Sequence, residues 1–560
     1  MDCSARLTRV VFAVAIAAGV GQPQMATGQA QAPPPLITAT TRLVQVSVIA
    51  RDKNGEPAAG LKAEDFRVEA DGRPQKISFF SADSTGISPA PGEPLPPGTF
   101  TNILAARGQA VNGITVVLLD LVNTRMADRM FARQQLIKYL EEIQPQDRIG
   151  VYVFSGRLRV LHEYTADMAD FQKKLADAKS RLIGVNTEVP GALDQEQSEF
   201  DMAFAGRGGT TLERQFYMRD RVMGTLAVFK FIANHLERVP GRKNLVWVSG
   251  AFPMIFGYEN MNNMAEGYVD EVDATVRALS QANVAVYPID ARGLTTPPGF
   301  NASRASTNSA PRAVPSSGIN HPHTSPSAPR PSNGGGASRS QNAAHDTMED
   351  IAHRTGGRAY YNTNDLARAI HEAVADSTLT YTIGFYPTDE KSGRDFHKIK
   401  VETPRQHLNL HYRSGYLDVP PASSDQQQRL LQMHDALWSP MDATELGLTV
   451  HATRSADPPT VDLLVTIQPD GVQLKQDGDR YSGRLDMLMV QRDSRGNELD
   501  GPFDTIELKM LGDTYRKFTT AGLPVHKTLP LSARAETLRI VVRDAGSGMI
   551  GSLTVPLTGP

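Results

Sequence analysis

An α/β fold is what this sequence predicts: a doubly wound, mostly parallel sheet, flanked by antiparallel β units and followed by a C-terminal β-sandwich. Three observations carry that expectation. Solid apolar runs such as Ile114–Leu119 and Leu245–Val248 show no polar alternation, the mark of strands buried on both faces. Segments with helical spacing separate these runs, so strand and helix alternate through residues 113–378. Beyond residue 425 the pattern changes to short strands punctuated by turns such as Pro469-Asp470-Gly471 and Ser494-Arg495-Gly496-Asn497, as in a sandwich.

Residues 1–30 read as an export signal. Arg6 and Arg9 supply a basic start, Val10–Val20 an apolar stretch, and Gly28-Gln29-Ala30 or Ala30-Gln31-Ala32 a cleavage sequence. The location expected is outside the cytoplasm, periplasmic or secreted. The lone cysteine, Cys3, would leave with the signal, so neither a disulfide framework nor a Cys-rich zinc site is available. No apolar run approaches the roughly 18 residues of a membrane span, so none is expected after signal removal. A formal net charge of −3 over 560 residues gives no support to nucleic-acid binding.

In order along the chain, residues 36–82 form an N-terminal β unit: Leu43–Ile49 alternates, Asp52-Lys53-Asn54-Gly55 turns, and Phe66–Ala70 and Ile77–Phe80 return. Residues 83–112, rich in Pro and Gly, read as a linker. In 113–378, strands are expected at Ile114–Leu119, Ile149–Phe154 (with Leu158–Leu161 as hairpin partner), Leu245–Val248, Val284–Ile289 and 358–361. Helices are expected near 126–143, 212–238, 268–282, 346–354 and 364–376. Between Asp290 and Asp346 no acidic residue occurs and bulky apolar residues are rare, so 295–343 is expected to be a disordered insert. Residues 379–417 return to β. Too few strands lie in either 43–80 or 379–416 to bury two faces, so the two stretches are expected to pair with each other. Residues 425–560 hold a short helix and then the sandwich.

Several strings together resemble the acidobacterial-type von Willebrand factor A (VWA)-related family of exported proteins. Asp120 ends a buried strand and is followed by Asn123-Thr124. Pro145-Gln146-Asp147-Arg148-Ile149-Gly150-Val151-Tyr152, Gly241-Arg242-Lys243-Asn244-Leu245-Val246-Trp247-Val248-Ser249, Tyr287-Pro288-Ile289-Asp290-Ala291-Arg292-Gly293-Leu294 and Thr355-Gly356-Gly357-Arg358-Ala359-Tyr360-Tyr361 agree, as does Asp71-Gly72-Arg73-Pro74-Gln75 upstream. The resemblance covers about residues 36–416 and implies a VWA fold; it names no biochemical role.

VWA domains often carry a metal-ion-dependent adhesion site: Asp-x-Ser-x-Ser after the first strand, a Thr in a later loop, and an Asp after the fourth strand. Hard cations need several oxygen ligands, so each position counts. Here Asp120 and Thr124 match, Val122 replaces the middle Ser, and Asn123 is displaced by one position. Thr210 or Thr211 is the loop hydroxyl, and Ser249-Gly250 stands where the last carboxylate belongs. The site is degenerate. Either it holds Mg²⁺ or Ca²⁺ weakly, with no cofactor required, or Asp120 is a strand-end residue that accepts loop N–H bonds. Ser249 and Asp290, at the carboxyl ends of their strands, mark the expected binding face. The insert's arginines and the acids of 184–210 suggest a salt-sensitive cover over that face, the alternative being a tethered, unstructured loop that makes no contact with it.

Catalytic patterns are missing. There is no Gly-x-x-x-x-Gly-Lys, His371-Glu372 lacks a second His at position 375, and no Gly-x-Ser-x-Gly elbow follows a buried strand. Trp247, inside a buried strand, reads as a core or rim aromatic rather than a ligand-stacking platform. The expectation is therefore a non-catalytic protein-binding or scaffolding module with a protein partner. The alternative is an accessory subunit of an envelope enzyme, with an active site that carries no recognisable motif.

Overall fold

The computed structural model describes residues 43–84, 95–103, 106, 113–124, 126–142, 148–163, 176, 211–239, 241–250, 262–294, 335–387, 396–417 and 426–557. The expected signal, residue Thr210, the acidic stretch 184–210 and residues 295–334 of the expected insert lie outside them.

The chain begins with β1 (Val44–Arg51), β2 (Arg67–Ala70), β3 (Arg73–Gln75) and β4 (Ile77–Ser84). Their partners come much later: β11 (Leu379–Phe385), β12 (Phe396–Glu402), β13 (Asn409–His411) and β14 (Gly415–Leu417). β11 lies antiparallel between β1 and β4, and β12 between β14 and β2. The two resulting four-stranded sheets enclose one core that includes Val46, Val48, Phe66, Val68, Tyr381, Ile383, Ile399 and Val401. Neither set of strands has enough apolar surface to form this core alone.

Between those halves lie β6 (Ile114–Asp120), α1 (Met126–Glu142), β7 (Ile149–Phe154), β8 (Leu158–His162), α2 (Thr211–Leu236), β9 (Lys243–Ser249), α3 (Asn262–Gln281), β10 (Val284–Asp290), α4 (Gly335–Thr355) and α5 (Leu366–Ala375). The sheet order is β10-β9-β6-β7-β8, parallel except for the β7–β8 hairpin. Every residue of β6, β9 and β10 is buried, which accounts for their unalternating apolar runs. Successive side chains leave by opposite faces. Val116, Leu118, Leu245, Trp247 and Val286 meet α2, α3 and α4, whereas Val117, Leu119, Val246, Val248 and Tyr287 meet α1 and α5. On α2 the buried residues Val222, Leu226, Phe229, Ala233 and Leu236 keep helical spacing, and the Phe229 ring meets Trp247 edge-on at 5.2 Å.

The C-terminal part comprises α6 (Gln426–Trp438), β15 (Leu448–Ala456), β16 (Pro459–Ile467), β17 (Lys475–Asp477), β18 (Arg480–Arg492), β19 (Phe503–Leu511), α7 (Gly512–Ala521), β20 (Leu523–Pro530), β21 (Thr537–Asp544) and β22 (Ile550–Pro556). Two antiparallel sheets share a core from Leu446 to Leu557 that includes Val450, Val465, Met487, Ile540 and Leu553.

The structure corrects four expectations. The 83–112 linker contains β5 (Thr99–Thr101), which pairs with β15 at the edge of the C-terminal sheet. Three residues are too short to show a period, and the anchoring is polar rather than apolar: buried Asn102 donates to Ala443 O and Leu446 O and accepts from Leu448 N–H. Helix α4 starts at Gly335, inside the stretch expected to be disordered, because Met348, Ile351 and Ala352 dock on the sheet and the helix propagates back from that nucleus. The strand expected at 358–361 is a single bridge, Tyr360 to Ile289. Strand β15 and helix α7, which has one buried residue, Phe518, were not anticipated.

Both flanking units attach at the amino ends of the parallel strands. From the β unit, Ser47 donates to Asn283 Oδ1 (2.8 Å) and Arg51 Nε to Asp376 Oδ1 (3.1 Å), while Tyr287 donates to Asp376 Oδ2 (2.9 Å). From the C-terminal part, Thr444 N–H caps Asn234 O (3.0 Å) at the end of α2, and Thr444 Oγ1 donates to His235 O (3.1 Å). The carboxyl ends, carrying Asp120, Ser249 and Asp290, point the other way.

Candidate functional site

Asp120 closes the central strand β6, and its side chain is fully buried. A buried carboxylate requires donors, and four surround this one. Oδ1 accepts from the Asn123 backbone N–H (3.0 Å). Oδ2 accepts from Asn123 Nδ2 (2.7 Å), Trp247 Nε1 (3.1 Å) and Ser249 Oγ (3.2 Å). Burial pushes the carboxyl above its usual range, and the bonds from Asn123 and Trp247 work against that shift.

Asn123 organises the cluster. Its Nδ2 donates to both Asp120 Oδ2 and Thr225 Oγ1 (2.8 Å), and its Oδ1 accepts from Arg221 Nε (3.1 Å). An arginine N–H can only donate, so this contact fixes which end of the amide is oxygen. Thr225 in turn donates to Arg221 O (2.9 Å), one helical turn back on α2. Thr124 donates to the Asp120 carbonyl and accepts from Gly250 N–H (2.9 Å), tying the loop after β6 to the end of β9.

These residues do not fit a divalent ion. Oδ2 of Asp120 is saturated by donors, the Asn123 nitrogen rather than its oxygen faces the carboxylate, and Val122 packs against the apolar core. A side chain at Gly250 would begin 3.2 Å from Asn123 O and Thr124 Cα, so a carboxylate there would have to displace the loop. Among the described residues no group of three or more His, Cys, Asp or Glu is placed to hold a metal.

Asp290 sits beside Ser249 in the β10–β9 register, with Ala291 N–H bonded to Ser249 O (2.9 Å). Its carboxylate is clasped by Arg292 through Nε (2.9 Å) and Nη2 (2.6 Å), and His345 Nε2 from α4 lies 2.9 Å away. Burial would raise this carboxyl, but the His345 and Arg292 bonds overcome it and hold Asp290 below its ordinary value. The His345 ring stacks on Tyr361 at 4.5 Å. Of the residues singled out from sequence, Asp120, Asn123, Thr124 and Ser249 come together in one cluster, and Asp290 forms a second cluster on the same edge. Arg221, Thr225, Arg292 and His345 were missed. The i, i+4 pair Arg221/Thr225 and the Asp290-x-Arg292 spacing were visible signals; nothing marked His345.

No family model matches the chain, and no curated protein matches it. Solved structures similar to parts of it include the following two. One is an aerotolerance-related membrane protein from Bacteroides fragilis NCTC 9343, a form with multiple mutations to serines (15% identity, TM-score 0.23, covering 47% of this chain and 98% of that one). The other is the conserved hypothetical protein BatB from Bacteroides thetaiotaomicron (14% identity, TM-score 0.21, covering 47% and 98%). Both likenesses are too distant to carry an argument about fold or role.

Proposed function

We propose that this chain is an exported, non-catalytic protein-binding module built on a VWA-like, doubly wound sheet, whose metal-ion-dependent adhesion site has been replaced by a permanent hydrogen-bond cluster. The position of the Asn123 amide carries the reading. Its NH₂ group lies between Asp120 Oδ2 and Thr225 Oγ1, bridging a carboxylate and a hydroxyl as a divalent ion would. An amide supplies partial positive charge and two donors without needing to be loaded. Recognition at this face is then independent of Mg²⁺ and Ca²⁺ and works through shape and side chains. The export assignment rests on the residue pattern of 1–30; no helix among the described residues is long and apolar enough to cross a membrane.

The test is affinity capture from envelope extract with and without EDTA, with calorimetric titration of Mg²⁺ and Ca²⁺ into the mature chain. Equal capture under both conditions and no tight isotherm are expected. A tight one-to-one isotherm that disappears in Asp120→Ala would overturn the proposal.

A further inference from the structure

On the outer face of the C-terminal sheet, beneath α6, positive charge is buried in excess. Asp486 on β18 lies directly across from Arg543 on β21. Arg484, two residues back on β18, shares that face, and Arg429 reaches down from the first turn of α6, its Nη1 3.5 Å from Asp486 Oδ2. Two guanidinium groups thus approach the Asp486 carboxylate and a third, Arg484, stands on the same face. Asp486 is itself engaged by Thr505 Oγ1 (3.1 Å), and its side chain is 3% exposed.

Arg543 is the decisive residue. It is fully buried, and its Nε donates to Gln432 Oε1 (2.9 Å), yet neither Nη1 nor Nη2 has a hydrogen-bond acceptor. Its approach to Asp486 is 3.9 Å, too long for a hydrogen bond. The Nε atoms of Arg429 and Arg484 are buried without acceptors as well. Asp544 gives Arg543 no hydrogen bond, although its charge acts on it: as the next residue on the strand it faces the opposite side, where its Oδ2 accepts from the N–H groups of Gln473 (3.2 Å) and Ser547 (2.6 Å). Glu507, opposite Arg484 in the β18–β19 register, is exposed. Burial holds the Arg543 guanidinium below its ordinary range; Asp486 opposes that shift and Arg429 adds to it. Buried ammonium-type charge without acceptors is costly enough that proteins rarely leave it so.

We infer that this cluster is a binding site for a small dianionic oxyanion of the phosphate or sulfate class. Its oxygens would supply the acceptors that Arg543 Nη1 and Nη2 and the Nε atoms of Arg429 and Arg484 lack, and tetrahedral oxygens suit the forked donors. Gln432 and Thr505 beside it are exposed and Arg484 is half-buried, while the depth of Arg543 would select a compact free anion over a phosphoryl group on a larger molecule. Bound there, the anion would clamp the first half of α6 to β18 and β21.

Isothermal titration of inorganic phosphate, and separately of sulfate, into the full chain at low ionic strength tests the site. A saturable one-to-one isotherm is expected. Arg484→Gln, at a partly exposed position and so chosen over Arg543, should weaken binding roughly tenfold or more, as loss of one charge-assisted contact does. Asp486→Asn, which removes the competing carboxylate, should tighten it. Absence of saturable binding, or affinity unchanged in Arg484→Gln, overturns the inference. Phosphoserine binding as tightly as inorganic phosphate would overturn the selection for a free anion.

Discussion

Asp120 exemplifies how single residues can be legible while their partners are not. A carboxylate at the end of an unbroken apolar run is readable as the end of a buried strand, and the sequence left open whether it meets a weakly held metal or loop donors. Two of its donors come from β9, 127 and 129 residues away, and α2 orients the Asn123 amide that supplies another; no local pattern encodes either. Trp247 was read as a core or rim aromatic, and it lies in the core; its indole N–H is also one of the four donors to the carboxylate. Trp247→Phe keeps most of the apolar contact with Phe229 but removes that donor. The expected loss is about 1–3 kcal/mol of unfolding free energy, measured by urea denaturation, with no gain in Mg²⁺ affinity. Stability equal to that of the unsubstituted chain would show that the remaining three donors suffice.

Among elements, the long buried strands and amphipathic helices were readable because burial on both faces, or on one stripe, leaves a period in the sequence. β6, β7, β9, β10 and α2 lie within a few residues of where the pattern put them. Elements held by polar contacts left no such trace. β5 is the clearest case, since three residues in a Pro- and Gly-rich stretch are anchored by one asparagine. Asn102→Ala would strand two carbonyls and one N–H in a buried seam, so a loss of about 2–4 kcal/mol is expected. Hydrogen exchange should show the opening concentrated in β5 and β15; unchanged protection there would mean that the strand is held by something other than Asn102. The early start of α4 was hidden for a different reason: the sequence of its first two turns, Gly335-Gly336-Ala337-Ser338-Arg339-Ser340-Gln341, has no apolar period.

Across the whole molecule, the junction between α2 and the C-terminal part is pH-sensitive. Glu445 is pushed up to about 8, chiefly by burial and then by the nearby Glu237, with the Ile550 N–H (2.7 Å from Oε2) working against the shift. The folded chain therefore holds this proton from about 4.5 to about 8, where the unfolded chain has released it. Glu445's contribution is full below the lower value and is lost as pH rises through the upper one. Glu445→Gln keeps the shape and stays neutral. Between about pH 5 and about pH 8 the unsubstituted chain should lose about 1–3 kcal/mol relative to this variant, read from urea midpoints across that range. Parallel pH profiles for the two proteins would show that Glu445 ionises normally.

The pairing of β1 and β4 with β11 also sets an order of events in time. Leu61 N–H meets the Tyr381 hydroxyl 320 residues further along the chain. At a synthesis rate of about 5–20 residues per second, the early strands wait on the order of 15–60 s for their partners. During that wait Val46, Val48, Phe66 and Phe80 lack the half of their core that Tyr381, Ile383, Ile399 and Val401 supply, and the strands are open to wrong pairing. The intervening α/β unit shortens the search. Once folded, it holds Asn283 and Asp376 at one end, beside the point where β11 begins, and so replaces a long loop closure with a short one. Refolding should accordingly show the parallel sheet protected first and the β1–β11 ladder last, and a chaperone that binds extended strands should act on residues 44–84 before any other part of the chain.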